Sequence, residues 1–311
     1  VSDNQLVGID FAESLYSNGI SITNNTIERN GDSGVGLWLG RNNLNSAATI
    51  VSGNTITMKD NQRFGIEIKN VLASGMSSGM GSVLIDNNTI TQTGTQTDFR
   101  DFAAITILRR KSGYTDINDQ PFGAYISNNH ISNITSNTGD GYGIVIGGTG
   151  HTIVGNSIAD TEIAIQLQKG NIGYNGNTDS PSLQSDANTL YFDRDNSADV
   201  CAYIGTNTLT TNGTDLRYVS DASTFTNTAP ELIAQNTNTF VQFCSIQSAI
   251  DAPSTINGNT ININAGTHIL TSGIVINKSI SLIGNNLDLV NKPLITGGDV
   301  TNKALVYVTA P

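Results

Sequence analysis

The stretch ITNNTI at residues 22–27 decides the fold, because close copies of it return along the first two thirds of the chain. Each copy places a short polar segment with Asn between apolar residues, and the asparagines of the first five copies lie 27 to 41 residues apart. The other copies are IVSGNTI at 50–56, IDNNTI at 85–90, ISNNHI at 126–131, IVGNSI at 153–158 and a weaker IGTNTL at 204–209. A repeat at such spacing is typical of a solenoid.

A second phrase lies between the copies, with the pattern small, apolar, any residue, apolar. It appears as GIDF at 8–11, GLWL at 36–39, GIEI at 65–68, AITI at 104–107, GIVI at 143–146 and AIQL at 164–167. Alternation with a period of two predicts a strand that buries one face.

These phrases predict an all-β chain, a right-handed parallel β-helix. One coil alone cannot bury its Ile and Leu, but coils stacked about 4.8 Å apart bury a continuous apolar column. Leucine-rich repeats require Leu at fixed spacings of about 20–29 residues, and left-handed helices require a strict short period. Neither pattern is present, and irregular loops fit the right-handed form best.

The repeated Asn is expected at the bend between two strands. Asn tolerates left-handed backbone there, and its amide can bond the equivalent Asn one coil away. Asn24-Asn25-Thr26 is also a sequon for N-glycosylation. Recurrence of Asn in register with the bend favours the ladder over the glycan.

The last 70 residues have a different character. Phe243, Ile246, Ala249 and Ile250 follow helical spacing and stop before Pro253, which predicts a short amphipathic capping helix near 243–252. Strand-like segments follow at 260–269, 274–284 and 304–308.

The run SIQSAID at 245–251, the strand at 261–268 and the segment 274–284 resemble the opening coils of the pectate-lyase-like β-helix superfamily. His268 stands where that superfamily usually has Tyr. The resemblance implies the fold, with a small helix at the start of the solenoid, and it points to the non-catalytic surface or filament members.

The predicted organisation has three parts: a β-helix body at 1–170, an irregular closing or connecting region at 171–239, and a cap helix with opening coils at 240–311. The superfamily's beginning therefore lies at the end of this chain. We expect a slice of a tandem array, a permuted order, or head-to-tail stacking of the C-terminal coils on the first coil of the same or a neighbouring subunit.

Composition narrows the setting. The chain has 311 residues, 38 of them Asn, and a net charge of −11. An acidic chain argues against nucleic acid and anionic membranes as partners. No run of eighteen apolar residues occurs, so no membrane insertion is expected. Scarce Lys and strands rich in Asn and Thr favour an extracellular or cell-surface location.

Two features of the sequence lie outside the repeats. Cys201 and Cys244 allow one disulfide, and two buried thiols are the alternative. Asp193, Asp195 and Asp199 partly resemble a calcium loop, but the Gly and distal Glu of an EF-hand are missing. A solvated turn is the preferred interpretation, and no cofactor other than calcium is expected.

A ligand site is predicted on one outer face. If Ile9, Leu37 and Ile66 point inward, alternation places Asp10, Trp38 and Glu67 outward in one row. The row continues through Thr106, Val145 and Gln166, and Lys69 lies nearby. A Trp between two carboxylates about 9–10 Å apart is an arrangement that grips sugars, near the separation of inverting glycosidases. The alternative is a set of solubilising residues on a solvated sheet.

Catalytic patterns are incomplete. The basic run at 109–111 lacks the stacked carboxylates of pectate lyases, and Gly150-His151-Thr152 lacks the second Gly of the polygalacturonase motif. His130 and His151 fit structural roles. We therefore expect a structural or adhesive module of a filament, sheath or giant surface protein, with no catalytic residues. A polysaccharide lyase or glycosidase and a carbohydrate-binding module are the alternatives.

Overall fold

The structure is a computed structural model of the chain. It describes residues 1–14, 20–39, 49–60, 62–70, 83–94, 96–97, 101–109, 123–137, 140–168, 200–221, 224–226, 230–252, 254–270, 272–285, 292–297 and 305–310. The chain divides into two compact units, Val1–Ala229 and Pro230–Pro311.

Unit 1 is a parallel β-helix with three sheets. Sheet 1 runs through β1 (Val7–Ser14), β4 (Ser33–Leu39), β7 (Phe64–Asn70), β10 (Phe102–Arg109), β13 (Gly141–Ile146), β16 (Ile163–Gln168), β19 (Thr214–Asp221) and β20 (Thr224–Thr226). Sheet 2 contains β2 (Ser21–Thr23), β5 (Thr49–Ser52), β8 (Val83–Asp86), β11 (Ala124–Ser127), β14 (His151–Val154) and β17 (Ala202–Ile204). Sheet 3 contains β3 (Thr26–Glu28), β6 (Thr55–Lys59), β9 (Thr89–Thr93), β12 (His130–Ser132), β15 (Ser157–Ala159) and β18 (Thr208–Thr210).

Each coil takes one strand from each sheet in the order 1, 2, 3. Neighbouring coils pair in parallel, and among the described strands of unit 1 only β20 turns back antiparallel on β19. The connection from sheet 1 to sheet 2 varies most in length: it runs from 147 to 150 after β13 but from 169 to 201 after β16. This corner accounts for most of the irregular spacing of the repeats.

The apolar residues of the repeats stack in register, as predicted. In sheet 3, Ile56 pairs with Ile27 and with Ile90, and in sheet 2, Ile126 pairs with Ile85 and with Ile153. These residues belong to one inner core that also takes the inward row of sheet 1. Full burial stabilises each such side chain by roughly 1.5–3 kcal/mol, so the column supplies most of the driving force.

The small residue of the second phrase also faces the core. A Cβ at Gly65 would lie 2.7 Å from Ile90 Cγ2, and a Cβ at Gly143 would lie 2.7 Å from Ile158 Cγ2. The start of these sheet 1 strands therefore lies against the Ile of sheet 3 in the same coil. A Cβ at these glycines would require the neighbours to shift, and Ala104 and Ala164 hold the same position in other coils. This crowding explains why the phrase begins with a small residue.

Two successive residues with different roles form the bend between sheets 2 and 3. The first residue takes the left-handed conformation, at Asn24, Gly53, Asn87, Asn128 and Gly155. The second is the ladder Asn, and each ladder Nδ2 donates to Oδ1 of the Asn one coil further on, over 2.9–3.0 Å. The ladder is Asn25, Asn54, Asn88, Asn129, Asn156 and Asn207. The predicted ladder is confirmed, but the left-handed residue is its neighbour.

The solenoid continues into the range 171–239, for which the sequence predicted an irregular connection. Strands β17, β18 and β19 extend sheets 2, 3 and 1 there. Ile204 pairs with Ile153 and Leu209 with Ile158, so the weak copy at 204–209 forms a full coil corner.

Unit 2 begins with β21 (Ala234–Asn236), β22 (Gln242–Phe243) and the predicted helix, α1 (Ile246–Asp251). Ser245 caps the helix, because its Oγ accepts from the Ser248 N–H over 3.0 Å. Ile246 and Ile250 pack on Ile263 and Ile274 in a small core.

Two successive coils of unit 2 follow the helix. They are formed by β23 (Thr260–Ile263), β24 (Gly266–Leu270), β25 (Ile274–Ile276), β26 (Ser281–Gly284), β27 (Pro293–Gly297) and β28 (Val306–Val308). The pairs β23–β26, β24–β27 and β25–β28 are parallel. His268 is buried, and its Nε2 lies 2.8 Å from the Asn264 carbonyl oxygen. The imidazole thus anchors the turn between β23 and β24.

The disulfide stays a prediction. Cys201 is buried in unit 1, whereas Cys244 is half-buried in unit 2. Among the described residues, no helix has the length and hydrophobicity that a membrane crossing requires.

We expect Asn88→Ala to lower the free energy of unfolding by about 3 kcal/mol. Asn88 is fully buried, its Nδ2 donates to Val51 O and Asn129 Oδ1, and its Oδ1 accepts from the backbone and the amide of Asn54. Alanine leaves buried partners unpaired. Urea denaturation followed by circular dichroism measures the change.

Asn87→Gly is the matched control. Asn87 is exposed and left-handed, and Gly53 and Gly155 hold the same position in other coils. We expect a change of about 0.5 kcal/mol or less. Equal losses of unfolding free energy in the two variants would show that the ladder hydrogen bonds do not stabilise the fold more than the exposed bend residue does.

Candidate functional site

The outer face of sheet 1 contains the row in which the sequence placed a ligand site. Register joins Asp10 to Gly36, Gly36 to Glu67, and Glu67 to Thr106. The row continues through Val145, Gln166 and Arg217. Asp10 and Glu67 thus stand two coils apart, as expected.

The predicted place of Trp38 in this row is wrong. Trp38 pairs with Lys69, two positions further along the strand, and Gly36 stands between Asp10 and Glu67. Both Gly34 and Gly36 precede an apolar alternation, so the sequence offered two registers. A Cβ at Gly34 would lie 2.9 Å from Ile56 Cγ2, which makes Gly34 the small residue of the phrase.

Burial removes much of this row from solvent. Glu67 is 1% exposed, and Thr106, Val145 and Gln166 are fully buried. The Glu67 carboxylate accepts a hydrogen bond of 2.9 Å from Ser33 Oγ on the neighbouring strand. Asp10 is exposed. The sequence predicted either a ligand site or solubilising residues here, and both interpretations require a row open to solvent. The structure buries most of the row.

A second apolar cluster shares this face. Phe64, Ala103, Tyr142 and Ile163 form an adjacent row in register, and Val145 and Val219 pack with them. Sheet 1 thus has buried apolar residues on both faces, with a buried polar row beside the outer ones, which is typical of strands in parallel sheets that are covered on both sides.

A polar cluster lies where the strands of sheet 1 begin, and we call it the coil-start cluster: Asp101, Asp140, Tyr142, Gln166 and Arg217. Arg217 Nη2 lies 2.5 Å from Asp140 Oδ2, and Tyr142 OH donates to the same oxygen over 3.0 Å. The Arg217 guanidinium also lies 5.6 Å from the centre of the Tyr142 ring, and its Nε donates to Gln166 Oε1. Three consecutive strands are tied together by these contacts.

Asp101 contacts the backbone of Asp140, one partner of this ion pair. Its Oδ1 accepts from the backbone N–H of Asp140 over 3.0 Å, while Oδ2 is buried and makes no hydrogen bond within the described part of the chain. Burial raises the pKa of Asp101 to about 7. Near neutral pH a large fraction of this carboxyl holds a proton, beside a second carboxyl in an ion pair.

Two carboxyl groups in different environments can divide acid and base roles, as in glycoside hydrolysis. Burial also raises the pKa of Glu162, which accepts from Ser136 N and from Gly141 N near the same corner. The sequence could not reveal this cluster, because Asp140 and Arg217 are 77 residues apart and neither belongs to a repeated phrase.

The two histidines of the sequence analysis lie in different settings. His130 is exposed on β12. His151 is buried, its Nδ1 accepts from Ala124 N over 3.2 Å, and its Nε2 lies 3.0 Å from Gly147 O. Burial lowers the pKa of His151 to about 4, so the imidazole is neutral and joins two coil segments.

Several residues that the sequence suggested as site residues lie outside the part of the chain that the structure describes. Asp193, Asp195 and Asp199 are outside the described residues, as are the side chains of Trp38, Lys69 and Arg109. Within the described ranges, no group of three or more His, Cys, Asp or Glu could hold a metal ion.

Comparison with known proteins gives one informative match. A cell surface glycoprotein of Methanothermus fervidus is 39% identical over 70 residues, which cover 22% of this chain and 12% of that protein. The match thus spans about an eighth of the relative's length. No family model matches the chain, and no solved structure does.

We expect Asp101→Asn to change how stability depends on pH. A carboxyl whose pKa rises on folding, here from 3.8 to about 7, stabilises the fold below pH 4 and loses that contribution as pH rises toward 7. The loss is about 4 kcal/mol at most. Asn keeps the acceptor for Asp140 N–H, so the variant should gain stability relative to wild type between pH 4 and 8 in urea titrations.

His151→Gln tests the opposite dependence of stability on pH. A His whose pKa falls on folding, from 6.5 to about 4, stabilises the fold above pH 6.5 and loses that contribution as pH falls toward 4. The variant should lose less stability than wild type over that acid range. Parallel pH curves for wild type and both variants would contradict the two assignments.

Proposed function

We propose that this chain is a structural module of a cell-surface protein, a β-helix that lengthens by stacking coil on coil. The carrying observation is the in-register column of apolar rows and Asn amides in unit 1. The likeness to a cell surface glycoprotein and the resemblance to non-catalytic pectate-lyase-like solenoids support the location and the role.

The last coil of unit 2 offers an edge for stacking. Ile274 N donates to Leu305 O and Thr309 N donates to Ile276 O, so alternate residues of β28 bond to β25. Alternation directs the N–H groups of Val306 and Val308 the other way. Within unit 2, no described strand pairs with that side of β28.

Exposed apolar side chains mark the same coil. Val308 is 70% exposed, and Ile283 and Leu294 are about half exposed. An edge with free N–H groups and apolar side chains is a template for another strand.

The first coil of unit 1 offers a complementary edge. Asn24 N donates to Ser52 O and Ile50 N donates to Ile20 O, so Ile20 and Asn24 bond to β5. Because the direction of the N–H groups alternates along a strand, those of Ser21 and Thr23 point away from β5. Within unit 1, no described strand pairs with that side of β2. The outer side of β3 is already bonded to the same chain, since Glu28 N donates to Val1 O and Asp3 N donates to Glu28 O. We infer head-to-tail stacking, with the last coil of unit 2 of one copy against β1 and β2 of the next.

Sedimentation velocity over a wide concentration range tests the stacking. We expect wild type to associate and Val308→Lys to raise the apparent dissociation constant at least about tenfold, equivalent to about 1.4 kcal/mol. A charge on an edge strand opposes further pairing.

Tyr125→Lys is the control, since Tyr125 is an exposed residue on the lateral wall, in the interior of sheet 2. It should associate like wild type. A monodisperse monomer at all concentrations, or equal effects of the two lysines, would refute the stacking.

A second candidate function is polysaccharide binding or cleavage, and the coil-start cluster favours it. Asp140→Asn would remove the ion pair with Arg217. For an enzyme we expect loss of reducing-end or unsaturated-product release from acidic glycans, with circular dichroism unchanged. An unchanged product level, or none in wild type, would leave the cluster as a brace between coils.

A further inference from the structure

The bend between sheets 2 and 3 carries a second set of asparagines besides the ladder. These are Asn24, Asn87 and Asn128, each the left-handed residue that precedes a ladder Asn. Asn24 and Asn87 are followed two residues later by Thr26 and Thr89, which complete Asn-x-Thr sequons.

The ladder and the sequon use different side chains. In ITNNTI the acceptor of a sequon is the first Asn, whereas the ladder amide belongs to the second. Asn25 Nδ2 donates to Asn54 Oδ1 and to Thr23 O, and Asn88 is fully buried. One repeat can therefore hold both an Asn ladder and a glycosylated Asn.

The first asparagines are presented to solvent. Asn24, Asn87, Thr26 and Thr89 are all exposed. Within the described part of the chain, neither the side-chain amide of Asn24 nor that of Asn87 makes a hydrogen bond, although both backbone N–H groups do. Their left-handed backbone places them at the outside of a tight bend, and the rigid ladder fixes the residue between acceptor and hydroxyl.

The chain has three other sequons, at Asn133, Asn212 and Asn277. Asn133 and Asn277 are exposed. Asn212 differs, because its Nδ2 donates to Ile158 O over 3.1 Å and its Oδ1 accepts from Thr161 N and Thr161 Oγ1. Asn212 is the one sequon asparagine whose amide the fold already uses.

We propose that Asn24 and Asn87 are N-glycosylation sites on the lateral wall of the solenoid, that Asn133 and Asn277 share this property, and that Asn212 does not. The biological occurrence rests on the proposed surface location. The chemical requirement is a transferase and an oligosaccharide carried as a glycosyl diphosphate on a lipid.

The reaction is a substitution at the anomeric carbon of the donor sugar. Asn Nδ2 forms a bond to that carbon, the bond from carbon to the diphosphate oxygen breaks, and the diphosphate leaves with the electron pair. One Nδ2 proton passes to a base of the transferase. No oxidant or reductant takes part.

The test uses folded, unglycosylated full chain, a purified oligosaccharyltransferase that accepts folded Asn-x-Ser/Thr substrates, and a polyprenyl-diphosphate oligosaccharide. Glycopeptide mass spectrometry then locates the products. We expect glycans at Asn24 and Asn87, as well as Asn133 and Asn277. Asn212 should be modified only after unfolding in urea, followed by removal of the urea.

Paired variants separate the glycan from the fold. Thr26→Val should lose the glycan at Asn24 alone. Asn25→Ala keeps the sequon Asn24-Ala-Thr26 but removes the ladder amide, so it should keep the glycan and lose stability.

Modification of the unfolded chain but not of the folded chain would overturn the proposal, as would equal modification of Asn212 and Asn24 in the folded protein. The assay needs neither stacking nor export. Its failure is therefore distinct from failure of the proposed function.

Discussion

Stacking of coils in exact register is the constraint on which this molecule depends. A parallel strand pair fixes successive coils about 4.8 Å apart, and every side chain of a coil then faces its equivalent in the next. An Ile row can tolerate small shifts, because dispersion and burial are not directional. The Asn amides cannot, since each buried Nδ2 and Oδ1 must meet the next amide at 2.9–3.0 Å. The apolar column thus supplies the magnitude of the stability, and the amide ladder fixes the register in which that stability is reached.

The same constraint explains where the chain varies. At the bend from sheet 2 to sheet 3 only two residues fit, a left-handed one and a ladder Asn, so the repeat is recognisable from ITNNTI to IVGNSI. The corner from sheet 1 to sheet 2 has no comparable ladder among the described residues, and its length runs from four residues after β13 to more than thirty after β16. Insertions collect at the corner where no amide must be in register.

Features that a single coil encodes could be predicted from the sequence, and features made between distant coils could not. Period-two alternation and the recurrent Asn were enough to predict the fold, the inward rows and the ladder. Trp38 was misplaced because Gly34 and Gly36 both fit the local pattern, and only contact with Ile56 of sheet 3 selects Gly34. Burial of Glu67 could not be foreseen, since alternation distinguishes two faces but does not say whether the second face is covered. The pairing of Asp140 with Arg217 has no local signal at all.

The geometry of a coil also separates two directions in which this chain can interact. Backbone N–H and C=O groups point along the axis, so only the end coils, with β2 and β28 at their edges, can accept further strands. Exposed side chains at the bends point sideways, and the left-handed Asn24 of the first coil and Asn87 of the third coil project from the same bend. A large hydrophilic group at Asn87 would not block axial growth, because Asn87 lies on the wall of an interior coil and not at the edge. A large hydrophilic group in place of the Val308 side chain would block axial growth. The proposed stacking therefore depends on the edges of the end coils and tolerates polar groups on the wall. Exposed apolar side chains such as Val308 lie in the last coil of unit 2, but Tyr125 on the wall of unit 1 is exposed as well, so the free backbone edge and not apolarity alone distinguishes the ends.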